Sequence, residues 1–90
     1  MVHYDETGKA ALVTGGERGI GRGIVLRLAR AGYDISFTYY FSRLKAETVQ
    51  REVEKLGRMC FIQEADLRNA AEGERVVWTA AGQMGRLDLV

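Results

Sequence analysis

The sequence predicts an α/β fold with a parallel sheet and helices on both faces, and three observations carry that prediction. Short apolar runs alternate with stretches of helical periodicity in the order βαβαβαβ. Gly32, Gly57 and Gly85 each fall between a helical pattern and the next strand pattern, where helix C-termini favour glycine. No proline, linker composition or short repeat breaks that order. Strands joined through helices run parallel with right-handed crossovers, because antiparallel neighbours would need only hairpins.

The run Ala10-Ala11-Leu12-Val13-Thr14 is short, apolar and followed at once by glycines, which suits a strand buried on both faces. From Gly19, the positions Ile20, Ile24, Val25 and Leu28 recur at helical spacing with Arg22, Arg27 and Arg30 between them. They predict a first helix with those four residues inward, ended by Gly32. Asp34-Ile35-Ser36-Phe37-Thr38-Tyr39 alternates polar with β-branched and aromatic residues, which predicts the second strand. Residues 43–56 place Val49, Val53 and Leu56 on one face and space Glu47–Arg51 and Arg51–Lys55 one turn apart on others, a second helix ended by Gly57. Met59-Cys60-Phe61-Ile62 running into Gln63-Glu64-Ala65-Asp66 turns polar toward its carboxyl end and reads as a third strand that leads to a binding crevice. Asn69 can cap a third helix through Met84, with Val77, Ala80, Ala81 and Met84 inward. Leu87-Asp88-Leu89-Val90 reads as the start of a fourth strand.

Ninety residues fit one domain and exclude a second within this chain. Hydrophobic residues at 47% and charged residues at 28% are those of an ordinary globular protein, which argues against disorder. A net charge of +1 gives no overall field to draw in nucleic acid or anionic lipid, so any anion must be bound locally. The opening Met1 to Lys9 is polar and carries two acids, unlike a signal peptide, and no window approaches the apolar length of a membrane span. A cytoplasmic location is the expectation. The single Cys60 can form no internal disulfide and completes no metal-ligand spacing, so it is expected in the core. His3 lies in a polar segment with no partner for catalysis, and Trp78 could pack on the sheet or face outward.

Between the first strand and first helix stands Thr14-Gly15-Gly16-Glu17-Arg18-Gly19-Ile20-Gly21, at the turn where α/β sheets bind ligands. A diphosphate needs bare backbone N–H donors at close approach, and the helix that follows adds its positive end. A P-loop would need Lys and then Ser or Thr after Gly21, where Arg22-Gly23 stand. The fingerprint GxGxxG starting at Gly19 would need glycine at position 24, which is Ile24. What fits is TGxxxGxG.

That pattern after a buried strand resembles the cofactor loop of the short-chain dehydrogenase/reductase family, and similarity extends through Asp66-Leu67 and Leu87-Asp88-Leu89-Val90, over residues 9–90. The resemblance implies a Rossmann-type sheet of strand order 3-2-1-4. It implies that Gly15, Gly19, Ile20 and Gly21 line pyrophosphate and ribose, that Asp66 accepts from the adenine amino group, and that Leu67 flanks the ring. Thr14, Glu17, Tyr39, Tyr40 and Ala65 complete the expected lining.

An NAD-preferring site places Asp or Glu at the end of the second strand, about 20 residues after the glycines. Here Tyr39-Tyr40-Phe41-Ser42-Arg43 offers no acid, while Arg18, Ser42 and Arg43 could reach a 2′-phosphate, so NADP(H) is expected in preference to NAD(H). The family moves hydride between nicotinamide and a carbonyl or alcohol carbon, using a Tyr four residues before a Lys, a Ser and an Asn. No tyrosine here has Lys four positions later: Tyr4, Tyr33, Tyr39 and Tyr40 face Gly8, Phe37, Arg43 and Leu44. The expectation is therefore the cofactor half of a carbonyl or 3-oxoacyl reductase with the catalytic part beyond Val90, inactive by itself and unpaired at its sheet edge. The parent is expected to be a homo-oligomer acting on a small carbonyl or alcohol substrate. A non-catalytic dinucleotide sensor, scaffold or interaction module would use the same loop.

Overall fold

The computed structural model describes residues 8–90, so His3 and Tyr4 lie outside the described residues. The elements run β1 (Ala10–Val13), α1 (Gly19–Arg30), β2 (Asp34–Tyr39), α2 (Arg43–Lys55), β3 (Cys60–Glu64) and α3 (Ala70–Met84). Among these residues the sheet has three parallel strands in the order β1-β2-β3. The register pairs Val13 with Phe37 and Phe37 with Ile62, so all three strands end on the same side. That shared carboxyl edge is where parallel α/β sheets hold ligands.

Side chains alternate across the sheet and create two cores. On one face Ala11, Val13, Ile35, Phe37 and Cys60 pack against Val25, Leu26 and Ala29 of α1 and Ala46, Val49 and Val53 of α2. On the other, Leu12 and Ala65 pack against Val76 and Ala80 of α3, with Met84 and Leu87 beside them. Polar Ser36, Thr38 and Gln63 are buried as well. Gln63 Nε2 donates to the Val76 carbonyl at 3.1 Å and tethers β3 to α3. Helices therefore cover both faces, as the alternation of elements predicts.

The inward faces differ from the expected ones in each helix. Ile20 is 85% exposed and Ile24 half-exposed, while Leu26 and Ala29 are buried with Val25. On the helical wheel the two isoleucines lie on the flank away from Leu26 and Ala29, so the sheet sees the latter pair. In α2 the buried stripe is Ala46, Val49 and Val53, and Leu56 is exposed because it sits at the C-cap, past the last turn. In α3, Val76 and Ala80 form the inward i, i+4 pair, which turns Val77 to the flank. Trp78 is 71% exposed.

The helix ends follow their caps. Ser42 Oγ accepts from Lys45 N at 3.1 Å and Asn69 Oδ1 from Ala71 N at 3.0 Å. Gly85 closes α3 in the left-handed conformation, φ 76°. The expected fourth strand is reduced to one parallel bridge, Ala11 to Leu89, on the outer side of β1. Leu12 N donates to the Leu89 carbonyl at 2.8 Å, and Asp88 turns its side chain back so that Oδ2 accepts from Ala10 N at 2.9 Å. A side chain thus takes a ladder position that a further strand residue would fill, and the order 3-2-1-4 is not developed here.

Candidate functional site

Where β1 ends, Gly15 adopts φ 66° and Gly19 φ 61°, both in the left-handed region. An added Cβ would meet nothing within 4 Å at either position, so open space faces the loop there. At Gly21 a Cβ would lie 2.0 Å from the Gly15 carbonyl oxygen, so the first turn of α1 closes directly over the loop. Gly15 N donates to Thr38 Oγ1 at 3.2 Å and Gly16 N to the Thr38 carbonyl at 3.0 Å, which fastens the loop to β2. The N-cap of α1 is Arg18, with no side-chain cap and no acid in the first turn, whereas Ser42 and Asn69 cap α2 and α3. The first N–H groups of α1 are left for an incoming acceptor, which the positive helix end favours when it is anionic.

Beside the loop lies a crevice of about 640 Å³ lined by Thr14, Gly15, Glu17, Thr38, Tyr39, Tyr40, Phe41, Ala65, Asp66, Leu67 and Arg68. Its size falls in the range of small-molecule and cofactor sites. Of the residues expected from the sequence, Thr14, Gly15, Glu17, Tyr39, Tyr40, Ala65, Asp66 and Leu67 meet here. Arg18 and Gly19 line a second hollow of about 290 Å³ on the other side of Glu17, with Arg22, Lys45 and Thr48. Ile20 projects outward, and Ser42 is occupied as the α2 cap. Arg43 NH1 donates to Tyr39 Oη at 2.9 Å, and its Nε lies 3.8 Å from Glu47. Neither Ser42 nor Arg43 lines the crevice.

Thr38, Phe41 and Arg68 are lining residues that sequence reasoning missed. Thr38 carried a signal, since it sits one residue before the end of β2 and just across from Gly15. Arg68 carried only its place two residues after Asp66. Two rings stand between two cations along the rim: the Arg18 guanidinium lies 4.3 Å from the Phe41 centroid, Phe41 meets Tyr40 edge-on at 5.3 Å, and Arg68 lies 5.5 Å from the Tyr40 centroid. Arg68 donates from Nε to Asp66 Oδ1 at 2.9 Å and from NH2 to Asp66 Oδ2 at 2.8 Å. That paired contact holds the Asp66 carboxyl down to about 2. Asp66 is therefore an ionised acceptor at neutral pH.

The end of β2 meets a carboxylate from elsewhere in the chain. The local sequence offers no acid there, yet Glu17 arrives from the glycine loop, 4% exposed, and its Oε2 accepts from Tyr40 N at 2.9 Å and Phe41 N at 3.3 Å. The loop and the strand end are 23 residues apart in sequence, and folding superposes them. Cys60, as expected, is buried, and desolvation first, with Glu54 nearby, pushes its thiol up to about 12.

The profile of the short chain dehydrogenase family matches residues 9–90. The chain belongs to that family. Its relatives in the short chain dehydrogenase family include the short-chain dehydrogenase/reductase FrzI of a Cladobotryum species, 42% identical over 91% of this chain and 32% of the relative. The 3-oxoacyl-acyl-carrier-protein reductase FabG of Staphylococcus aureus is 40% identical over 91% of this chain and 33% of its own length. Among solved structures, a short chain dehydrogenase of Burkholderia cenocepacia J2315 in complex with NADP is 41% identical, with a TM-score of 0.91 over 94% of this chain and 35% of that one. The chain spans about a third of the length of these family members. The matched residues have the Rossmann-type fold of the family, and the Thr14 to Gly21 loop lies inside them. Among the described residues no helix is long and apolar enough to cross a membrane.

Proposed function

We propose that this chain is the dinucleotide-binding part of an oxidoreductase that moves hydride between NADP(H) and a carbonyl or alcohol carbon. The observation that carries the reading is the uncapped start of α1 beside a glycine loop with left-handed Gly15 and Gly19. Gly15, Gly19, Ile20 and Gly21 would hold diphosphate and ribose, for which the open space at Gly15 and Gly19 leaves room. Asp66, ionised and at the crevice rim, would accept from the adenine amino group, with Leu67 against the ring and Thr14, Tyr39, Tyr40 and Ala65 completing the wall. When bound, the nicotinamide supplies or takes the hydride.

The NADP complex of the Burkholderia relative and the reductase name of the staphylococcal one support the cofactor and the class of reaction. Within this chain the preference rests on Arg18, held beside the end of β2 on the Phe41 ring, where a 2′-phosphate would sit. Ser42 and Arg43 stand at the start of α2, with Arg43 joined to the corner through Tyr39. A 3-oxoacyl or related carbonyl compound is the substrate class, the parent enzyme is a homo-oligomer working in the cytoplasm, and neither nucleic acid nor membrane is a partner. This stretch holds no Tyr followed four residues later by Lys, so it does not turn over substrate by itself.

Calorimetric titration of the full-length protein with NADPH and NADH tests the reading, with tighter binding of NADPH expected. Arg18→Ala lowers that preference by up to about tenfold, about 1.4 kcal/mol, since an exposed guanidinium acts only partly on its target. Equal or reversed wild-type affinities defeat the cofactor assignment, and no binding of either defeats the whole reading.

A further inference from the structure

Glu17 is a charged side chain 4% exposed, and its carboxylate is only half committed. Both bonds from Tyr40 N and Phe41 N go to Oε2. Oε1 takes no hydrogen bond from the described residues, and no cation among them pairs with Glu17. The neighbouring Arg18 is turned to the Phe41 ring instead. Glu17 also lines the crevice, between Gly15 and the end of β2. Oε1 is not sealed in the interior, where the unpartnered side-chain atom among the described residues is Gln63 Oε1, so it stays open to donors from a ligand or from water.

We propose that Glu17 is a cofactor-discriminating residue, which accepts a hydroxyl of the adenosine ribose through Oε1 and opposes a phosphate on that ribose. It does from the glycine loop what an acid at the end of β2 does in NAD-preferring sheets. Its charge works against Arg18 across the same corner, so the preference for NADP(H) is held below what Arg18 would give unopposed. This rests on the dinucleotide reading. A carboxylate that served only to strap the loop to the β2–α2 turn would need no charge, because a neutral carbonyl oxygen accepts the same two bonds.

Glu17→Gln separates the two roles, since it keeps an acceptor for Tyr40 N and Phe41 N and removes only the charge. In the full-length protein, affinities for NADPH and NADH are measured by fluorescence titration beside the thermal midpoint. The expected result is a rise of about tenfold or more in the NADPH-to-NADH affinity ratio, with NADPH tighter, NADH weaker and the midpoint unmoved. A ratio within about twofold of wild type, with both cofactors still bound, overturns the role of Glu17 and leaves the dinucleotide reading standing. Wild-type protein that binds neither cofactor overturns both. Should Glu17→Gln fail to fold, Glu17→Ser removes the same charge together with the strap to Tyr40 N and Phe41 N, and the same ratio decides.

Discussion

At Gly21 the geometry leaves no choice of residue. A Cβ there would stand 2.0 Å from the Gly15 carbonyl oxygen and 3.3 Å from Gly16 Cα, both backbone atoms that cannot swing aside. Gly21→Ala must therefore push the α1 start away from the loop and tilt the N–H groups that would meet a diphosphate. The expected outcome is a loss of NADPH affinity of at least about a hundredfold, about 2.7 kcal/mol, measured by the same titration. Gly23→Ala is the control, because nothing lies within 4 Å of a Cβ there, and it leaves affinity unchanged. The need for glycine in this turn was legible in the sequence, from four glycines after a buried strand. The arrival of Glu17 at the end of β2 was not, because it depends on the β1–β2 pairing that brings Gly16 N to the Thr38 carbonyl. A scan of the residues around position 40 looks for an acid in the wrong segment of chain.

The elements were legible where one local force dominates. The first three strand runs, the glycine stops and the Asn69 cap all follow from propensity or backbone conformation within a few residues, and the structure has them at the expected places, while the run at Leu87 to Val90 forms one bridge only. Helix faces were less legible, because apolar residues occur on more than one side. In α1 the sequence shows Ile20 and Ile24 beside Val25 and Leu26, and only contact with the sheet decides that Leu26 and Ala29 turn inward. Caps offer a clean test at this scale. Asn69 satisfies Ala71 N, and Glu72 adds a favourable charge to the first turn of α3. Asn69→Ala is expected to lower the unfolding free energy by about 1 kcal/mol, and Asn69→Gly by a few tenths, as read from urea midpoints. Because α3 packs on Leu12 and Ala65, the same loss should reach Asp66 and weaken nucleotide binding slightly.

Across the whole molecule, three short-range ion pairs sit where elements meet the carboxyl edge or the outer side of β1. Asp66 with Arg68 follows β3, and Arg75, paired with Glu72, also donates to the Glu64 carbonyl at 3.0 Å. Asp88, held by Arg86, reaches back to Ala10 N. The hydrogen bonds from those arginines hold all three carboxyls below their ordinary range, Asp66 to about 2. A carboxyl whose folded pKa is depressed adds stability in full above its unfolded value, about 4, and loses it as the pH falls toward the folded one. Stability is thus expected to be level above about pH 5 and to decline from about pH 4 to about pH 2. Asp88→Asn isolates one contribution, since it keeps an oxygen for Ala10 N while removing the charge that Arg86 binds. Urea midpoints of the full-length protein should place this variant below wild type at neutral pH, with the two curves converging as Asp88 protonates in acid. Curves that stay parallel over that whole range would mean that the Arg86–Asp88 pair adds nothing to the seam between β1 and the segment at Leu89, and that backbone bonds alone hold it.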